Sequence, residues 1–195
     1  MSDTEPVPVD IGYKAVPSVE LKALTPIQTY YQSLELSPYK TNGILRKTAE
    51  VVQKGDWNYS LTHFLDLARE QTSLSVVKIP QLELEKRLKS GIGTTAWSEE
   101  EYHGYIFVSE DFFDKGSDFS KLVSLQHQFK SLLLRKTGER SRPENLLSIL
   151  DTDLAFLDFA RNYGADPKDV EYLKKEYTSR KEKFLTERAD LAKAA

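Results

Sequence analysis

Apolar residues recur along this chain at two spacings, and the change from one to the other divides it into elements. From "TPIQTYYQSLEL" onward the spacing is mostly helical. Thr25 is placed to cap, Pro26 takes the first helical position, where its missing N–H is harmless, and Gln28 completes a capping box. "SPYKTNGILRKTAEVVQKG" repeats the device with Ser37 and Pro38 and stops at Gly55, with Asn42–Gly43 as a potential break. In "DWNYSLTHFLDLARE" Asp56 is the cap, and Leu61, Phe64, Leu65 and Ala68 share one helical face.

The pattern then shifts. "TSLSVVKIP" carries the β-favouring Val76 and Val77 beside Leu74 and closes on Pro80, which predicts a short strand. "QLELEKRLKSG" reads as a short helix ending at Gly91, and "YIFV", residues 105–108, as a second strand able to pair with the first. Beyond Gly116 two strong amphipathic helices follow. One sets Phe119, Leu122, Val123, Phe129, Leu132 and Leu133 at helical spacing; the other does so with Leu147, Leu150, Leu154, Leu157 and Ala160 before a Gly164 stop.

The last segment opens with Asp166 and Pro167 and repeats Val170, Tyr177, Phe184 and Leu191 every seven residues. Leu173 fills the intermediate position once, whereas Arg180 and Glu187 occupy it next. A coiled-coil seam needs both positions apolar, so this thin stripe suits docking along the parent bundle or a partner surface. The expected fold is predominantly α: a compact multi-helix bundle with a small two-stranded β element. Residues 1–20, which mix proline, acidic and isolated apolar residues, are expected to form an extended N-terminal arm. Residues 21–195 would form a single mainly helical domain, with 166–195 its charged C-terminal helix.

Composition narrows the chemistry. The 195 residues include no cysteine, which excludes thiolate catalysis, disulfides and cysteine-ligated metals and fits a reducing, cytoplasmic location. A formal net charge of -3 gives no field for nucleic acid, and no window has the length and apolarity of a transmembrane helix.

The stretch "AWSEEEYHGYIFVSEDFF", residues 96–113, gathers acidic side chains, His103 and several aromatic rings. Ser98 with Glu101, and Ser109 ahead of Glu110 and Asp111, read as helix starts that favour carboxylates. Glu100 and His103 also form E-x-x-H, the spacing with which two ligands share a helix face in carboxylate-bridged metal bundles. His63 and His127 have serines, Ser60 and Ser124, where the acidic residue would stand, so a two-metal centre is disfavoured. His63, Asp66 and Glu70 share a face of their own, and with Glu100 or His103 they would make a polar or mononuclear metal pocket; without such convergence they are ordinary surface groups. No nucleophile turn or phosphate loop is present, "GIGTT" lacking both the Walker lysine and a third glycine.

Surface features favour recognition. Trp97, Tyr102, Phe112, Phe113, Tyr177 and Phe184 are the expected interaction anchors, because large rigid rings bury much area at low entropic cost. Arg135, Lys136, Arg140 and Arg142 form a basic turn, which reads first as an ordinary charged turn at a helix C-terminus and otherwise as a grip for an acidic partner, a polyanion or a lipid headgroup. The expectation from sequence is therefore a protein-interaction or assembly subunit, bound to a protein partner or a second copy, with no cofactor and no catalysis of its own. The alternative is a small-molecule or metal-dependent enzyme whose polar pocket is built from His63, Asp66, Glu100 and His103.

Overall fold

A computed structural model describes residues 23–39, 42–88, 93–98, 103–138 and 143–194. The expected N-terminal arm lies outside these residues. Among them the chain forms eight α-helices and three strands: α1 Pro26–Glu35, α2 Asn42–Val52, α3 Trp57–Thr72, β1 Leu74–Ile79, α4 Gln81–Arg87, β2 Gly93–Ser98, β3 His103–Ser109, α5 Glu110–Lys115, α6 Asp118–Lys136, α7 Pro143–Ala160 and α8 Pro167–Ala194. It is a helical bundle with a small sheet on one side.

The capping chemistry is where the sequence placed it. Thr25 Oγ1 accepts from the Gln28 amide at 3.4 Å while Gln28 Oε1 accepts from the Thr25 amide at 2.9 Å. Asp56 Oδ1 caps α3 through the Tyr59 amide at 2.9 Å, and Ser109 caps α5 through the Phe112 amide at 3.1 Å. Gly55 and Gly164 end their segments with φ of 74° and 77°, a left-handed conformation that glycine adopts without strain.

Local signals were overridden in three places. The helix expected at Ser37 and Pro38 starts only at Asn42, because Tyr39 turns its ring into the core, where it is 2 % exposed. Helix α4 ends at Arg87 instead of running to Gly91. Ser98, expected to cap a helical turn, ends a third strand opposite His103. Gly93–Ser98 pairs antiparallel with β3, and this cross-strand ladder holds Ser98 in the strand, while residues 99–102 lie outside the described residues.

The sheet order is β1-β3-β2. β1 and β3, the two strands read from sequence, do pair, and they run parallel from Leu74 opposite Gly104 to Ile79 opposite Ser109. A parallel pair needs a long connection between its strands. Here α4 and β2 lie within it.

Helix α6 is the central element, touching α3, α7, β2 and β3. Gln128 Nε2 donates to the Gly93 carbonyl at 3.2 Å and Arg135 Nη1 to the Thr95 carbonyl at 2.6 Å, so polar side chains of α6 pin strand β2. Arg135, read as part of a basic turn, thus acts within the fold. Helix α7 packs between α1 and α8, and α8 docks on it through Val170, Leu173 and Tyr177, all buried. The thin stripe therefore serves the parent bundle along the first half of α8.

Candidate functional site

Where α6 faces α7, the apolar stripe is interrupted by charge. Lys130 is fully buried and Asp153 of α7 is 1 % exposed. Charged side chains are almost never this buried unless paired. Lys130 Nζ donates to Asp153 Oδ1, and His127 Nδ1, one turn earlier on α6, lies 2.6 Å from Asp153 Oδ2. One carboxylate therefore holds both a lysine and a histidine.

Burial would by itself push the Asp153 carboxyl up, but the Lys130 ammonium and then His127 outweigh it and hold its pKa below the usual carboxylate value. Burial pulls Lys130 down from its ordinary value against the opposing pull of Asp153. An ionised Asp153 can only accept, which makes His127 Nδ1 the protonated nitrogen and leaves Nε2 with its lone pair in the neutral ring. Tyr177 of α8 covers the imidazole face, its ring centroid 5.4 Å away at an interplanar angle of 14°. Its phenol is pushed well above its ordinary value by burial, then by the charge of Asp153.

The polar character continues inward. The Tyr39 hydroxyl meets Thr152 Oγ1 at 2.7 Å, while the Tyr30 hydroxyl is buried with no hydrogen-bond partner among the described residues. Burial, Tyr39 and then Asp153 each raise the Tyr30 pKa, so the field of this one carboxylate reaches through the helical core.

On its other side His127 opens onto a groove between α6, α7 and α8 with a cavity volume of about 330 Å³. His127 and Ser131 line it from α6, and Leu146, Ile149 and Leu150 from α7. Arg180, Lys183, Phe184 and Glu187 complete it from the second half of α8. A cleft of this size with an apolar wall and convergent polar groups is a usual form of small-molecule site.

The residues singled out in the sequence lie elsewhere, apart from Tyr177 over the His127 ring and Phe184 in the groove. His63 stacks on Tyr59, with ring centroids 5.9 Å apart, and Asp66 and Glu70 are exposed on the same helix, α3. His103 Nε2 is engaged by Ser75 Oγ at 2.7 Å across β1 and β3. Glu100 and Tyr102, like Arg140 and Arg142, lie outside the described residues, and among those described no three His, Asp or Glu side chains gather as a metal-ligand set. Trp97 is on β2 opposite Gly104, and Lys136 is in the last turn of α6. Phe112 and Phe113 are half-buried on α5, the Phe113 ring lying 5.6 Å from the ammonium groups of both Lys78 and Lys121. Tyr177, expected on a docking surface, is 4 % exposed within the chain's own core. Phe184 lines the groove itself.

Compared with known proteins, the chain matches no family model, no curated protein and no solved structure. Function must therefore be argued from the site itself.

The buried carboxylate gives the fold an acid limit. Asp153 has a native pKa below 3.8, so between the two values the unfolded chain binds a proton that the native chain does not. Its contribution is present above the unfolded value and lost as pH falls through the native one. The urea midpoint should therefore drop below about pH 4, and drop less steeply in the double variant K130M/D153L, as denaturation curves across this range will show.

Proposed function

We propose that this chain is a small-molecule enzyme that binds its substrate in the α6–α7–α8 groove and uses His127 as a general base. The observation that carries the reading is the hydrogen bond from His127 Nδ1 to the buried Asp153 beside a ligand-sized cavity. A carboxylate behind an imidazole fixes its tautomer and stabilises the imidazolium that forms when the other nitrogen accepts a proton. Lys130 keeps that carboxylate ionised in a site where burial opposes charge, and Tyr177 holds the ring plane. His127 is then poised to take a proton from water or a substrate hydroxyl, and the leucine and isoleucine wall of α7 offers the substrate an apolar surface beside it.

The energetics support a role beyond stability. A buried ion pair is a weak stabiliser, since its desolvation cost rivals its attraction, and apolar replacements of similar volume are often as stable. Orienting a histidine is a use for which apolar residues cannot substitute. The reading keeps the enzyme class anticipated as an alternative from the sequence and moves its centre from His63, Asp66, Glu100 and His103 to His127 and Asp153.

A second reading, assembly with a protein partner or another copy of the chain, is favoured by Leu36, which is 79 % exposed and borders a separate cleft of about 380 Å³ with Leu147 of α7. A cytoplasmic setting belongs to both readings. Among the described residues no helix is long and apolar enough to cross a membrane.

The test observes the imidazole nitrogens of His127 by ¹⁵N NMR while the small-molecule fraction of the producing cells is added. The enzyme reading expects the Nε2 resonance to move, and the shift to vanish in Asp153→Asn. A resonance indifferent to the fraction contradicts it.

A further inference from the structure

The groove has a chemical polarity that His127 alone does not explain. Its α7 wall is wholly apolar, formed by Leu146, Ile149 and Leu150, and Phe184 of α8 faces it. The same face of α8 carries two cations, Arg180 and Lys183, against one anion, Glu187. Each cation stands in an ion pair but keeps donors free among the described residues. Lys183 Nζ stands 3.9 Å from Glu187 Oε1, beyond hydrogen-bond range, and its side chain is 79 % exposed. Arg180 is bound to Glu176 through Nη2 alone among the described residues, and a guanidinium has five N–H donors in a planar fork. The His127 ring lies in the same lining.

From this arrangement we infer that the substrate is a small amphipathic carboxylate. Its carboxylate is received by Lys183 and Arg180 at the rim, and its hydrocarbon part lies between the α7 wall and Phe184. The inference rests on the reading of the groove as a ligand site and names the ligand class for it. Each part follows from complementarity. A carboxylate fits the guanidinium fork and completes Lys183, which has no close acceptor among the described residues. An alkyl or aryl body removes the apolar wall from water, each buried methylene adding to affinity. A doubly charged phosphate ester fits less well, because Glu187 beside Lys183 and Glu176 on Arg180 offset both rim cations.

The experiment uses three probes of one chain length on the whole protein: octanoate, 1-octanol and octylammonium. Dissociation constants come from ligand-observed NMR, with the His127 imidazole resonances followed in parallel. Octanoate should bind about tenfold more tightly than 1-octanol, the discrimination of one charge-assisted pair, and octylammonium more weakly than either. Lys183→Glu should abolish the preference for octanoate while leaving 1-octanol binding and the circular dichroism spectrum unchanged. Because Lys183 is exposed, that variant is expected to fold.

If octanol and octanoate bind equally, or Lys183→Glu leaves the preference intact, the carboxylate inference fails and the ligand site stands. If none of the three binds and the cell fraction also leaves His127 unshifted, the groove is not a ligand site and both statements fall. If none of the three binds but the cell fraction does shift His127, the site stands and its ligand is not an amphipathic carboxylate of this kind.

Discussion

Asp153→Leu should cost this protein about 3–5 kcal/mol, the loss expected when one member of a buried charge pair is removed and the other is left without a partner. In the variant the Lys130 ammonium, fully buried, keeps no acceptor for its charge, and His127 loses the carboxylate that orients it. Against a total stability of about 5–15 kcal/mol for a domain, this is about a fifth or more. At roughly 2–4 °C per kcal/mol for a chain of this size, the melting temperature should fall by about 10 °C. Lys130→Met alone should be similarly severe, because it leaves the carboxylate buried with the His127 N–H as its one hydrogen-bond donor among the described residues. The double variant K130M/D153L should recover to within about 1 kcal/mol of the parent, since well-packed apolar replacements are often neutral. Thermal and urea denaturation of the four proteins closes the cycle. A double variant as unstable as the single ones would mean that the pair stabilises the fold outright.

Two truncations of α8 should separate folding from binding. Ending the chain before Pro167 removes Val170, Leu173 and Tyr177, each no more than 4 % exposed. At about 1.5–3 kcal/mol per buried side chain the loss approaches or exceeds 6 kcal/mol, and this chain should be largely unfolded. Ending it after Ser179 keeps those anchors and removes the groove wall from Arg180 to Glu187. The losses there are ion pairs of partly exposed side chains, Lys181 with Asp151 at 2.5 Å and Arg188 with Glu144 at 3.0 Å, and such pairs contribute at most about 1 kcal/mol each. That shorter cut should leave a cooperative thermal transition and eliminate octanoate binding. Circular dichroism melts and the NMR titration distinguish the two.

These anchors also explain what the sequence disclosed. The helical architecture was legible because caps and periodicity are local: Thr25 with Gln28, Asp56, Ser109 and the Gly164 stop act within one turn. Strand β2 was not legible, because "GTTAWS" is short and its ladder to β3 is a tertiary pairing, while Ser98 with Glu101 offered a local helix signal. The thin stripe on α8 was legible as a docking face. That it meets α7 is decided by tertiary packing.

The candidate site was hidden for a different reason. His127 was judged on residues nearby in sequence, and Ser124 disqualified it from a metal motif, whereas its partner is 26 positions away on another helix. One signal was present. Lys130 lies four residues before Leu134 and Asp153 three residues after Leu150, so each interrupts an apolar helical stripe, and a charge at such a position calls for a partner. Two interruptions of opposite sign on neighbouring helices point to each other. His63, Asp66 and Glu70 gave the opposite impression, because helical spacing shows which residues share a face but not whether the face is buried.

The claim that His127 is the working group of this protein is tested most directly by the nitrogen spectrum of its own imidazole. The account predicts a proton on Nδ1 held by Asp153, and an Nε2 resonance that shifts when the small-molecule fraction of the producing cells is added. A ring protonated at Nε2 alone, or one whose resonances ignore that fraction, would contradict it.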